Sequence, residues 1–285
     1  MRLANVSGRS TIVTLEGLVD VATASNGAFS ASTEKCVHQL AKLQQWFETF
    51  QPEPTDPTLP EELFGDPRLG AVISQPSQIF AIGLNYRHHA DEMGLAHPSQ
   101  PMVFTKFSSS LCAPNSNLVL PSDRTDWEAE LVVIFAKSGR DISVEDALEY
   151  VGGYAVGQDY SERTLQMAGS PAQFSLGKSF QNFAPIGPWL TTPDDAGDPN
   201  CLAIGSTVNG ETMQDSVTSD MVFSIAELIS YISTVVEIRS GDIMFTGSPH
   251  GVGQGQNPPR FLRTGDVVET SIERLGTIRN KVVAK

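Results

Sequence analysis

Asp126-Trp127-Glu128-Ala129-Glu130-Leu131-Val132-Val133-Ile134-Phe135 is the stretch from which the fold of this chain reads outward. A period of two puts Trp127, Ala129, Leu131 and Val133 on one face of a strand, and Glu128, Glu130, Val132 and Ile134 on the other. Two carboxylates therefore point the same way, with an apolar run behind them. Like charges so placed need compensation from a cation, a protonated partner or solvent. A divalent metal is the leading answer. For an isolated Glu-x-Glu the commoner arrangement is an exposed strand end with two solvated glutamates, so the rest of the chain has to decide.

The bulk properties narrow the field. The chain has 285 residues, 40% of them hydrophobic and 18% charged, with a formal net charge of -14. That length suits one large domain or a main domain with a small appendage, with ample material for a core. The negative field argues against nucleic acid as a partner. Small anionic substrates remain compatible, because they need only local positive groups. Cys36, Cys112 and Cys201 lie far apart, without metal-type spacing, and read as reduced thiols. No apolar run approaches the ~18 residues of a membrane-spanning helix, and the N-terminus lacks the apolar core of a signal peptide. The expectation is a cytoplasmic protein without a membrane partner.

Residues 1 to about 30 read as a small β-meander. A helix follows, with Val37, Leu40, Leu43, Phe47 and Phe50 at three- and four-residue steps and Ser32 or Thr33 as its cap. Pro52, Pro54, Pro57 and Pro60 then mark a linker. Residues 1–70 are accordingly expected to be a small N-terminal α+β domain or arm, and residues 71–285 the main domain. Within the latter, Gln78–Gly83 reads as a buried strand leading into a short helical segment in which His89 and Glu92 share a face. A histidine held by a carboxylate is the pairing that general-base catalysis uses. Gly153–Asp159 is a strand that ends on a carboxylate. Asp159 is either a third oxygen ligand or a helix cap, and Arg163 and Gln166 beyond it share a helical face from which both reach an anionic substrate. Lys178, in the turn Gly177-Lys178-Ser179-Phe180, is a surface charge or an oxyanion stabiliser. Ser224-Ile225-Ala226-Glu227 is a full capping box opening a core helix. The glycine-rich loop Thr246-Gly247-Ser248-Pro249-His250-Gly251-Val252-Gly253 permits close backbone approach to a ligand; it lacks both a P-loop lysine and a strand–GxGxxG–helix context, which excludes nucleotide binding. Many short strands, few helices and no βαβ rhythm predict a β-rich α+β fold, a mixed β-sandwich or roll.

Five of these features together resemble the fumarylacetoacetate hydrolase family, over nearly all of residues 77–283: Asn85-Tyr86 with His89 and Glu92; Glu128-Ala129-Glu130; Gln158-Asp159 with Arg163 and Gln166; Gly177-Lys178-Ser179-Phe180; and Phe245-Thr246-Gly247-Ser248-Pro249 leading to Gly251-Val252-Gly253. The resemblance implies a mixed β-roll catalytic domain, usually in homodimers, with a small N-terminal domain in longer members. It implies that Glu128, Glu130 and Asp159 bind Mg²⁺ or Mn²⁺, that Lys178 is an active-site lysine, and that His89 with Glu92 activates water. Tyr86, Arg163, Gln166, Thr246, Gly247, Ser248 and His250 are expected to contact substrate. The chain departs from the family pattern in two places. Ser248-Pro249-His250 stands where Thr-Pro-Ala is commoner, adding an imidazole, and Gln158-Asp159-Tyr160 replaces a commoner Asn-Asp-Val/Leu. The function this implies is metal-dependent hydrolysis of a C–C bond in a 2,4-dioxo acid (acylpyruvate) to pyruvate and a carboxylic acid. The alternative is decarboxylation, hydration or isomerisation of a 2-oxo acid through the same stabilised enolate.

Overall fold

In the computed structural model, which describes residues 1–285, the strand Ala129–Phe135 lies inside a large mixed sheet, and all seven of its residues are buried. Across that sheet the strands run Gly17–Asp20, Arg9–Thr14, Arg2–Val6, Ala184–Thr191, Val151–Gln158, Ala129–Phe135, Ile243–Phe245, Ile79–Gly83 and Met102–Thr105. Most neighbours are antiparallel, while Ile79–Gly83 runs parallel to Ile243–Phe245. A second sheet, Glu211–Val217, Ala203–Val208, Val267–Ile272, Gly276–Val283 and the short Leu118–Val119, packs over one face. The β-rich sandwich architecture expected from the sequence is the one observed.

Both faces of the central strand are covered, as its alternation dictates. Leu131, Val133 and Phe135 join an apolar cluster with Ile204, Ile272 and Ile278 of the second sheet and with Leu228, Ile229 and Ile232 of the helix Ile225–Ser233. That helix starts at the capping box, where the Ser224 hydroxyl accepts from Glu227 N–H and the Glu227 carboxylate accepts from Ser224 N–H. Val132 and Ile134 face the other way, into a cluster with Leu3, Ile12, Val37, Leu43 and Phe245. Burying each such side chain contributes roughly 1.5–3 kcal/mol.

Residues 1–70 contain the expected meander and helix, but they share the main core. Arg2 and Leu3 pair with Thr191 and Leu190, and Leu3, Ile12, Val37 and Leu43 pack on the strands of the main sheet. The segment thus adds three strands to one edge of that sheet and lays its helices on one face, and the core continues without a break past residue 70. Its helix is divided into Thr33–Val37, capped by Ser32, and Leu40–Phe50. Phe50, expected on the apolar stripe, is exposed at the helix end. No helix is long and apolar enough to cross a membrane, and the three cysteines are unpaired.

Candidate active site

Glu128 lies one residue before the strand begins, and its position is set by side chains that replace ladder hydrogen bonds. Glu128 N–H donates to Gln158 Oε1 at 2.8 Å, and Ala129 N–H donates to Gln214 Oε1 at 2.9 Å. Gln158 in turn donates to Thr270 Oγ1 on the second sheet. On the neighbouring strand Asp159 N–H donates to the Glu128 carbonyl at 2.9 Å, which brings the third carboxylate alongside the first. Glu130 pairs with Gly157; a Cβ there would stand 2.5 Å from Val132 and 2.8 Å from Phe245, so the close approach requires glycine. Glu128, Glu130 and Asp159 thereby offer carboxylate oxygens within 4.8 Å of one another, all three residues buried.

Two lysines and an arginine surround them. Lys178 Nζ is 2.6 Å from Glu128 Oε2 and 2.6 Å from Asp159 Oδ2. Lys106 Nζ, also buried, pairs with Asp159 and donates to the Lys178 carbonyl. Arg163 Nη1 is 2.7 Å from Glu128 Oε1, and its Nε and Nη2 grip Asp126 at 2.8 and 2.7 Å. Burial alone would push the Glu128 carboxyl up, but Lys178, Arg163 and His89 outweigh it and lower it to about 2. Burial disfavours the Lys178 ammonium; Asp159 and Glu128 more than compensate, so this lysine stays charged. Burial dominates at Lys106 and shifts it down despite Asp159.

Glu130 is different. Its one protein donor is Gly247 N–H, at 2.8 Å, and no lysine or arginine touches it. Burial, then Asp159 and Glu128, raise its carboxyl well above the usual range. In this buried cluster the four carboxylates of Asp126, Glu128, Glu130 and Asp159 face only three cations, Lys106, Lys178 and Arg163. A divalent ion at the three-carboxylate site fits that imbalance, because it would compensate Glu130 and turn one excess negative charge into one positive charge, suited to an anionic ligand. All-oxygen donors match a hard cation.

The site opens into a cavity of about 100 Å³ lined by His89, Glu128, Arg163, Gln166, Lys178 and Ser248. His89 lies in the helix Arg87–Glu92 with its Nδ1 3.3 Å from Glu92 Oε2, and Glu92 Oε1 accepts from Gly251 N–H at 3.0 Å. The dyad expected from the sequence is therefore assembled, with the glycine-rich loop holding its carboxylate.

The other expected substrate contacts divide. Arg163 lines the cavity, with its guanidinium engaged by Asp126, Glu128 and the Gln166 oxygen, so it also positions Glu128. Tyr86 is fully buried in the core cluster and Thr246 Oγ1 donates to the Leu131 carbonyl, so neither lines the cavity. Gly247 serves through its N–H to Glu130. His250 lies outside the cavity, its ring 5.7 Å from that of His88. Gln166 and Ser248 do line it.

Lys106 and Asp126 are the residues whose roles the sequence did not reveal. Lys106→Met is expected to destabilise the protein by about 3 kcal/mol by taking a cation from buried Asp159; the shift in urea midpoint measures it, and a change below about 1 kcal/mol would mean that Lys178 alone satisfies Asp159.

Residues 78–283 match the model of the fumarylacetoacetate (FAA) hydrolase C-terminal family. Among relatives, a 2,4-didehydro-3-deoxy-L-rhamnonate hydrolase of Sphingomonas sp. (strain SKA58) is 46% identical over 221 residues, 76% of this chain and 77% of that one. A mitochondrial oxaloacetate tautomerase of Bos taurus is 44% identical over 215 residues, 75% of this chain and 68% of that one. Among solved structures, maleylpyruvate hydrolase from Sphingobium sp. SYK-6, in complex with manganese(II) and pyruvate, superposes with a TM-score of 0.82 at 27% identity, covering 100% of this chain and 99% of that one. The chain is a member of the fumarylacetoacetate hydrolase family.

Proposed function

We propose that this protein is a hydrolase dependent on Mg²⁺ or Mn²⁺ that cleaves the C3–C4 bond of a 2,4-dioxo acid, giving pyruvate and a carboxylic acid. The observation that carries this reading is His89, held by Glu92 and lining the cavity beside Glu128. With Nδ1 turned to Glu92, the other ring nitrogen is available to take a proton from water, and the carboxylate steadies the imidazolium that forms. The activated water adds to the C4 carbonyl. Collapse breaks the C3–C4 bond, the electron pair stays on C3 as pyruvate enolate, and the proton held by His89 returns to C3. Lys178 contributes a fixed positive charge toward the anionic product. A divalent ion held by Glu128, Glu130 and Asp159 would supply Lewis-acid stabilisation of charge on the 2-oxo group.

A second reading, tautomerisation of a 2-oxo acid, has the oxaloacetate tautomerase relative in its favour. It requires proton movement at C3 and no water attack. Incubating the protein with a panel of 2,4-dioxo acids and with oxaloacetate, each with Mg²⁺ or Mn²⁺, separates the two. The hydrolase reading expects stoichiometric pyruvate and carboxylic acid from a dioxo acid. Accelerated keto–enol exchange of oxaloacetate with no cleavage of any dioxo acid would replace it with the second.

A further inference from the structure

The two ends of a dioxo acid make different demands on the cavity. The carboxylate and 2-oxo oxygens belong with Glu128 and Lys178, and C4, which receives the water, belongs beside His89. The group carried on C4 therefore meets what surrounds the helix Arg87–Glu92. Leu84 precedes that helix, and Met93 and Leu95 follow it. Met93 N–H donates to the His89 carbonyl at 3.1 Å and Leu95 N–H to the Ala90 carbonyl at 2.9 Å. All three line the cavity, together with Met167 and Phe174. The Phe174 ring lies 5.7 Å from that of Phe104 and close to Gly83, where a Cβ would stand 3.6 Å from it. Leu95 and Met167 are 47% and 53% exposed, so the apolar wall continues outward to the surface.

Leu84 holds the least expected conformation of these residues. Its φ of 53° is left-handed, which a bulky side chain disfavours and glycine or asparagine adopts more readily. The surroundings impose it. Asn85, fully buried, donates to the Phe223 and Thr246 carbonyls at 3.1 and 2.8 Å and accepts from Phe223 N–H at 2.9 Å. Its own carbonyl accepts from Val222 N–H at 2.8 Å. Gly247, whose N–H reaches Glu130, packs so tightly here that a Cβ would stand 2.7 Å from Asn85 Cβ. Position 84 is thus fixed between the carboxylate platform and the helix of His89, and it carries hydrocarbon where a smaller residue would cost the backbone less.

The wall has little to offer a charged group. Its only lysine and arginine, Lys178 and Arg163, each already face two carboxylates. Gln166 and Ser248 are hydrogen-bonded to Arg163 and Gln214. A second carboxylate on the acyl side loses its water and finds no uncommitted cation, whereas an alkyl group buries its carbons against the apolar side chains.

We infer that the acyl side of the substrate is an uncharged alkyl group, and that Leu84 is a specificity-determining residue selecting it over an acyl group that ends in a carboxylate. This rests on the 2,4-dioxo acid reading of the cavity, so turnover and binding are measured separately. Turnover of 2,4-dioxopentanoate, 2,4-dioxohexanoate and 2,4-dioxoheptanoate by the wild-type enzyme with Mn²⁺ tests the hydrolase reading. Calorimetric binding of the same acids and of 2,4-dioxoheptanedioate to the Mn²⁺-loaded His89→Ala enzyme tests the inference whether or not cleavage occurs. Affinity is expected to rise about fourfold with each added methylene, and the heptanoate to bind at least about tenfold more tightly than the heptanedioate. Adding Leu84→Ala should weaken the heptanoate about tenfold and leave oxalate, which has no acyl side, unchanged. A flat chain-length series, a heptanedioate that binds as tightly as the heptanoate, or a Leu84→Ala effect that is absent or equal for oxalate would overturn the inference.

Discussion

Replacing Glu130 with glutamine is expected to give a metal-free protein that unfolds at a higher temperature than the wild type, and an enzyme that has lost its activity. The two effects have one cause. Glu130 is buried between the Glu128 and Asp159 carboxylates, accepts a single N–H from Gly247 and touches no lysine or arginine. Glutamine keeps the shape and the acceptor for Gly247 and is neutral without having to take up a proton in the buried site, a gain on the order of 1–3 kcal/mol at neutral pH that vanishes at acid pH, where the carboxyl is protonated in the unfolded chain as well. The same change removes a charged donor from the cation site, so kcat/KM should fall by at least about a thousandfold. Adding Mn²⁺ at ~100 times its Kd should stabilise the wild type by about 2.7 kcal/mol and leave the variant nearly unmoved. Thermal melts in chelator and in Mn²⁺ check both halves. A variant that melts below the wild type in chelator would show that Glu130 is already compensated by the protein. Glu128→Ala, by contrast, strips partners from Lys178 and Arg163, and should lower stability and activity together.

The second large effect concerns His89. His89→Ala should lower kcat for dioxo-acid cleavage by roughly 10²–10⁴-fold, the usual contribution of a positioned general base, while Mn²⁺ binding is retained because the imidazole is hydrogen-bonded to Glu92 and not to the three carboxylates. Steady-state kinetics beside a Mn²⁺ titration separates the two quantities. Wild-type cleavage by His89→Ala would remove water activation from the account and favour the tautomerase reading.

The sequence carried the local relations well and the distant ones poorly. Strand alternation placed Glu128 and Glu130 on one face and Leu131 and Val133 on the other, because a period of two is a property of the backbone itself. The three-residue step between His89 and Glu92 is likewise local, and the structure closes it at 3.3 Å. The capping box at Ser224 and Glu227 is a third such case. Arg163 shows the limit. Spacing put it on a face with Gln166, but it could not show that the guanidinium would be consumed by Asp126, 37 positions earlier, and by Glu128. Lys106 shows it again: nothing near it in the chain is acidic, and its partner Asp159 is 53 positions away. The arm formed by residues 1–70 was legible as strands and a helix, whereas its sharing of the main core depends on the pairing of Arg2 and Leu3 with Thr191 and Leu190.

The central claim is that the buried Glu128, Glu130 and Asp159 carboxylates form a divalent-cation site that presents a 2-oxo acid to His89. Calorimetric titration of the wild-type protein with Mn²⁺, followed by oxalate, tests it most directly. The account predicts one Mn²⁺ per chain and oxalate binding that appears only once Mn²⁺ is present. Absence of Mn²⁺ binding, or oxalate binding of equal strength in chelator, would contradict it.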